Sequence, residues 1–177
     1  MISLYEAGSF LIHLYDKIGG TFVCSQIKLE KMLILAQIKY YLENGDNLID
    51  NMDIVFAEAC GFALETSSTY FRSPITISKE YKDEALNSDI KLKLSEYSES
   101  NGLLYFSEKS MDDNLKSFLI DIFIQYASYN PKTLGELLDR IKDCDKFQKM
   151  KIAQKDVPFE IPLSDFYEMV ETSNFNQ

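Results

Sequence analysis

Ser25-Gln26-Ile27-Lys28-Leu29-Glu30-Lys31-Met32-Leu33-Ile34-Leu35-Ala36-Gln37-Ile38-Lys39-Tyr40-Tyr41-Leu42-Glu43 is the stretch that says most about the architecture. Its apolar residues do not form one stripe. Leu29, Met32, Leu33, Ala36 and Tyr40 fall on one face of a helix. Ile27, Ile34, Leu35, Ile38, Tyr41 and Leu42 fall on another. Lys28 and Lys39 share one seam between these faces, and Glu30 and Gln37 the other. A helix that is apolar on two sides is packed on two sides. This segment is therefore expected to be the central helix of the domain, ending at Asn44-Gly45-Asp46.

Helical patterns flank it. Ser3 and Glu6 have capping-box spacing ahead of Leu4, Ala7, Leu11, Leu14, Tyr15 and Ile18, which share one face, and Gly19-Gly20 stops that helix. Ser110-Met111-Asp112-Asp113 reads as a cap with acids in the first turn, followed by the stripe Leu115, Phe118, Leu119, Ile122, Phe123 and Tyr126. Tyr129-Asn130-Pro131 reads as a turn. Thr133 and Glu136 then open a helix with Leu134, Leu137, Leu138 and Ile141 inward. After a polar stretch from Asp143 to Asp156, Pro158 and Pro162 bracket Phe159-Glu160-Ile161, and Ser164 caps a short helix carrying Phe166, Tyr167 and Val170.

The remaining stretches are less regular. Ile54 to Leu64 alternates enough for a short extended segment with a turn at Gly61, although Ala57-Glu58-Ala59 also suits a helix. The region from about 65 to 110 is irregular. It offers a short helix from Lys79 to Leu86, and either a hairpin of Ile90–Leu94 with Leu103–Phe106 or one more amphipathic helix. The expected fold is mainly α: one compact helical domain spanning residues 1–177 around a two-sided helix, with a minor strand component.

Composition narrows the function classes. The chain has 177 residues, 46% hydrophobic and 26% charged, and is long enough to bury roughly 70% of its unfolded surface without a staple. Eighteen basic against 28 acidic residues gives a net charge of −10. That disfavours direct binding to nucleic acid or to anionic membrane, both of which reward Lys and Arg, and favours a basic protein partner. Cys24, Cys60 and Cys144 are odd in number and widely spaced, which points to a reducing, cytoplasmic setting. No apolar run approaches a membrane span.

No catalytic set emerges. His13 is the single histidine and falls on the polar face of the first helix, so it reads as a surface residue. Cys60 sits in an apolar run and reads as core. Cys144 lies between Asp143 and Asp145 and reads as surface or partly buried; Cys24, before a helix start, has the best setting for a reactive thiol. Asp112-Asp113 reads as a helix start and Asp50-Asn51-Met52-Asp53 as a loop without the glycine of a calcium site. Glu58, inside an apolar segment, is expected as a buried, hydrogen-bonded carboxylate; an edge position or a functional role are the alternatives. No cofactor or metal site is expected.

Ile27-Lys28-Leu29-Glu30-Lys31-Met32-Leu33-Ile34-Leu35-Ala36-Gln37 resembles the "K-L-Q-K-L-L-Y-Y-A-Q" helix of the Panacea antitoxin domain family, long known as phage-associated proteins. Asn44 to Ile49 resembles the turn after that helix. Phe56-Ala57-Glu58-Ala59-Cys60-Gly61-Phe62 resembles its "E-A-W-x-Y-G-P-V" segment. Leu119–Tyr126 with Asn130–Leu138 resembles its late helix pair, and Glu160–Asp165 its closing segment. The Trp and Gly-Pro of the middle signature are missing, as are the late "T-H" and the Trp after it, so the resemblance is to a divergent member.

The resemblance implies a non-enzymatic protein-binding module. Such domains neutralise a toxin encoded beside them by direct contact, and one relative is similar to an adaptor that hands its toxin to a protease. The signature positions are Lys28, Leu29, Lys31, Ala36, Gln37, Glu58, Gly61, Tyr126, Leu134 and Leu137. Read from the residues alone, the apolar ones are core, and Tyr126 packs at a helix end with its hydroxyl near water. Lys28 and Gln37 either cap backbone groups of a neighbouring segment or line a groove. Alternatives from other classes are an acidic phage or mobile-element protein that inhibits a nucleic-acid-binding host protein, an enzyme of unrecognised type, and a structural oligomer subunit.

Overall fold

A computed structural model describes residues 1–17, 26–65, 111–155 and 158–176. Helix α1 spans Leu4–Lys17 and α2 spans Gln26–Asn44. Strands β1 (Ile54–Ala57) and β2 (Gly61–Leu64) form a hairpin. Helices α3 (Asp113–Tyr126) and α4 (Pro131–Asp139) follow, then a 3-10 turn at Arg140–Asp143 and helix α5 (Asp145–Gln154). Strand β3 (Phe159–Ile161), helix α6 (Leu163–Thr172) and a 3-10 turn at Asn174–Asn176 complete the described chain. The fold is mostly helical with a small antiparallel sheet in the order β2-β1-β3.

Helix α2 is the centre. It touches α1, α3, α4, α6 and β2. Every residue from Lys28 to Ile38 is buried, polar ones included. The two apolar faces and both seams between them are thus enclosed over this length, and only the ends emerge, with Ile27 52% and Leu42 40% exposed. Helix α1 lays Leu4, Ala7, Phe10, Leu11, Leu14 and Tyr15 into the core. Its capping box is present: Glu6 N–H donates to Ser3 Oγ at 3.2 Å, and Ser3 N–H donates to Glu6 Oε2 at 2.8 Å. On α3, Leu115, Leu119, Ile122, Phe123 and Tyr126 face inward.

The sheet covers a second part of the core. Ile54, Phe56, Phe62, Leu64, Phe159 and Ile161 point inward, and Val55, Ala57, Ala63 and Glu160 point outward. The register pairs Phe56 with both Phe62 and Phe159. Phe147 of α5 joins them at 4.9 Å from Phe56, edge to face, and Phe166 of α6 sits 5.6 Å from Phe62. Edge-to-face rings of this kind add about 0.5–1.5 kcal/mol each beyond their buried area.

Several expectations need correction. The α3 cap is Asp112, whose side chain accepts from Leu115 N–H at 2.9 Å, and Ser110 lies outside the described residues. Helix α4 is capped by Asn130, which accepts from Thr133 N–H at 2.8 Å, with Pro131 at the first helical position. Glu136 is therefore free to pair with Lys132 on the surface instead of closing a box. Ser164 caps nothing; α6 starts after Pro162 with no side-chain cap. The polar stretch from Asp143 is largely a helix, α5, and Phe159–Ile161 is a strand.

The cysteines and Glu58 differ as well. Cys60 is exposed rather than core, and Cys144 is fully buried rather than at the surface or partly buried. Residues 58–60 form the turn between β1 and β2, so the alternation that placed Cys60 and Glu58 inside breaks there. Glu58 is exposed and pairs with Lys151 of α5 at 2.5 Å. That hydrogen bond holds its carboxyl below the ordinary range. Cys144 is the cap of α5, its Sγ accepting from Phe147 N–H at 3.5 Å. His13 is half-buried. Gly19-Gly20, Cys24 and the helix and hairpin expected between residues 66 and 110 lie outside the described residues.

Candidate functional site

A recognition site built on the polar residues of the signature helix would need them free. Each instead holds a neighbouring element. Lys28 is 1% exposed, and its Nζ donates to Ala127 O at 2.6 Å. Ala127 closes α3, so a cation sits on the negative end of that helix, where it is favoured. Tyr15 OH donates to the same carbonyl at 3.3 Å, and its ring lies 5.4 Å beneath the ammonium. Lys31 Nζ donates to Cys60 O at 3.0 Å and Phe62 O at 3.3 Å, clamping the start of β2. Glu30 Oε2 accepts from Leu64 N–H at 3.4 Å at the other end of the same strand.

Gln37 is fully buried and joins three segments. Its Oε1 accepts from Ile49 N–H at 2.8 Å. Its Nε2 donates to Asn47 Oδ1 at 3.3 Å and makes a short bond to Tyr167 OH. Tyr167 OH in turn donates to Asn47 Oδ1 at 2.5 Å, and its ring stacks on Tyr41 at 3.7 Å. Burial raises the Tyr167 hydroxyl, and the Gln37 hydrogen bond opposes that shift. Among the described residues every buried side-chain nitrogen and oxygen has a hydrogen-bond partner. Of the two readings of Lys28 and Gln37, the structure has backbone capping for both.

Lys31 has a second distinction. Burial lowers its ammonium from the usual lysine value, against the opposing influence of Cys60, Asp139 and Glu30. Gly61 beside it has φ +70°, a left-handed conformation that closes the three-residue turn and that a side chain would strain. Gly61 is thus a turn residue, and Lys31 ties down the carbonyls on both sides of it. Leu29, Ala36 and Leu134 are core, and Leu137 is half-buried.

Among the described residues no three of His, Cys, Asp and Glu cluster as metal ligands, and no helix is long and apolar enough to cross a membrane. A recess of about 530 Å³ beside α5 is lined by Asp143, Cys144, Asp145, Lys146, Lys149, Glu168 and Thr172. Its Lys146 is already paired with Asp165 at 2.7 Å and with Glu168.

Among the described residues a groove of about 410 Å³ lies between α2, α3, α4 and the final 3-10 turn. Tyr126, Tyr129, Leu137, Leu42 and Phe175 supply its apolar lining. Tyr126 and Tyr129 stand edge to face at 5.9 Å. Burial, with Tyr129 adding to it, pushes the Tyr126 hydroxyl up to about 12, so it is neutral at physiological pH. Lys39 bonds Gln125 and lies 5.5 Å over the Tyr126 ring. Arg140, at the start of the 3-10 turn after α4, is exposed. Among the described residues no carboxylate lies within ion-pair distance of its guanidinium.

Of the signature residues only Tyr126 and Leu137 reach this groove; Lys28, Lys31, Gln37, Glu58 and Gly61 do not. Sequence reasoning missed Arg140, Tyr129 and Phe175. The available signal was Tyr126 and Tyr129 at i, i+3, with an arginine in a chain that has only Arg72 and Arg140. No protein family, curated protein or solved structure matches the chain.

Proposed function

We propose that this protein is a non-enzymatic binding module that engages another protein, in the manner of an antitoxin that neutralises a toxin encoded nearby. The observation that carries this reading is the groove: tyrosines, aliphatic side chains and an arginine lacking a carboxylate partner among the described residues, in a chain of net charge −10. Tyr and Arg are the residue types that dominate protein–protein hot spots. The ordered resemblance to Panacea domains supports the antitoxin part. Neutralisation proceeds either by direct contact or by delivery of the bound toxin to a protease. The charge of −10 also favours a second reading, inhibition of a basic, nucleic-acid-binding host protein.

The test is a growth assay in which adjacent open reading frames are expressed singly and then with this protein. One frame toxic alone and harmless in its presence supports the reading, and co-purification separates binding from degradation. No toxic frame, or toxicity that the protein leaves untouched, removes it. Competition of the bound partner with DNA or RNA would select the second reading.

A further inference from the structure

The groove between α2, α3 and α4 has a chemistry that selects its occupant. We infer that it takes a segment of a partner protein presenting an aspartate or glutamate beside an apolar side chain, with Arg140 anchoring the carboxylate. This rests on the protein-binding reading and names the face and the partner chemistry.

The groove wall differs in charge from the chain as a whole. Lys39 and Arg140 line the groove against the single carboxylate of Glu43, so its wall is net positive by one charge, while the chain as a whole is −10. Lys39 is already engaged by Gln125 and by the face of Tyr126. Arg140 is exposed, and none of the described carboxylates pairs with it. A guanidinium presents a planar fork that meets a carboxylate with two parallel hydrogen bonds. The neighbouring carboxylate, Asp139, pairs with Lys142 at 2.8 Å, so it leaves Arg140 available.

The lining beside Arg140 is apolar. Leu42 in the lining is one of four exposed large hydrophobic residues among those described, and Tyr129, Leu137 and Phe175 are half-buried. An inorganic anion would leave this apolar wall unused. A carboxylate carried next to an aliphatic or aromatic side chain would use both Arg140 and this wall. A volume of about 410 Å³ is of the size that encloses a few side chains rather than a whole helix.

The experiment is selection of random displayed peptides on the immobilised full chain, followed by anisotropy measurements on the enriched sequences. The expected peptides carry Asp or Glu adjoining an apolar residue. Arg140→Gln weakens them at least tenfold; Lys132→Gln, at an exposed site outside the groove, leaves them unchanged. Replacing the peptide acid by its amide costs the same factor in the wild type and nothing further in Arg140→Gln. Thermal melting of each variant verifies that it is folded.

Four results overturn the inference: no enriched peptide, enriched peptides without an acid, binding indifferent to Arg140→Gln, or displacement of the peptide by inorganic phosphate alone at equal concentration. A wild-type dimer in sedimentation that Arg140→Gln dissolves would also overturn it, by making the occupant a second copy. The antitoxin reading fails separately. Peptides bound through Arg140 with no rescued toxicity would leave the groove standing and remove the toxin. Rescue that survives Arg140→Gln would do the opposite.

Discussion

Replacing Gln37 by leucine separates a structural role for the signature helix from a recognition role. Gln37 is fully buried and makes three hydrogen bonds, to Ile49 N–H, Asn47 Oδ1 and Tyr167 OH. Leucine fills similar volume but makes none. The Ile49 N–H then faces the core with no acceptor, a cost of about 1–3 kcal/mol. Loss of the two bonds donated by Nε2 adds about 0.5–1.5 kcal/mol each. Tyr167 and Asn47 still bond each other, and the leucine gains some apolar burial, so both offset part of the loss. The net expectation is a destabilisation of about 2–4 kcal/mol, or roughly 5–12 °C in Tm for a chain of this size. Urea unfolding followed by far-UV circular dichroism reads it. A midpoint within about 0.5 kcal/mol of wild type would refute the reasoning, because that is the range of substitutions touching nothing important.

Other variants test separate parts of the account. Lys31→Met leaves the Cys60 and Phe62 carbonyls without their ammonium and removes a buried charge; the first effect dominates, and urea unfolding should show a loss of about 1–3 kcal/mol. Gly61→Ala meets no close atom, its new Cβ lying 3.8 Å from Asp139 Oδ1, so the loss of about 1–3 kcal/mol comes from φ +70° alone. Tyr126, 5% exposed with its hydroxyl raised to about 12, makes stability pH-dependent. Its contribution is fully present below the unfolded tyrosine value near 10 and is lost as pH climbs to about 12, a change of about 1–3 kcal/mol that Tyr126→Phe abolishes in unfolding curves between those values. In the native protein, iodoacetamide followed by peptide mapping should modify exposed Cys60 and spare buried Cys144.

The long apolar patterns were legible because burial there follows helical periodicity. Leu11, Leu14 and Tyr15 on α1, and Leu119, Ile122 and Phe123 on α3, are buried as their spacing predicts. The centrality of α2 was legible too, since no surface helix carries apolar residues on two sides. What could not be read was how fully its seams close: Lys28, Glu30 and Lys31 are buried because backbone groups from α3 and β2 come to meet them. Helix α5 escaped notice because only Phe147 of its residues is buried, so it carries almost no stripe. Cys60 and Glu58 were misplaced by an alternation that ran across a turn. The groove was invisible for a topological reason. Its lining comes from α2, α3, α4, Arg140 and the final 3-10 turn, which only the tertiary fold assembles.

The most direct measurement is growth rescue by three forms of the protein, each expressed with the toxic neighbouring gene product: wild type, Arg140→Gln and Lys132→Gln. Wild type and Lys132→Gln are expected to restore growth, while Arg140→Gln, present at the same soluble level, is not. Failure of the wild type to rescue any neighbour, or equal rescue by Arg140→Gln, would contradict that expectation.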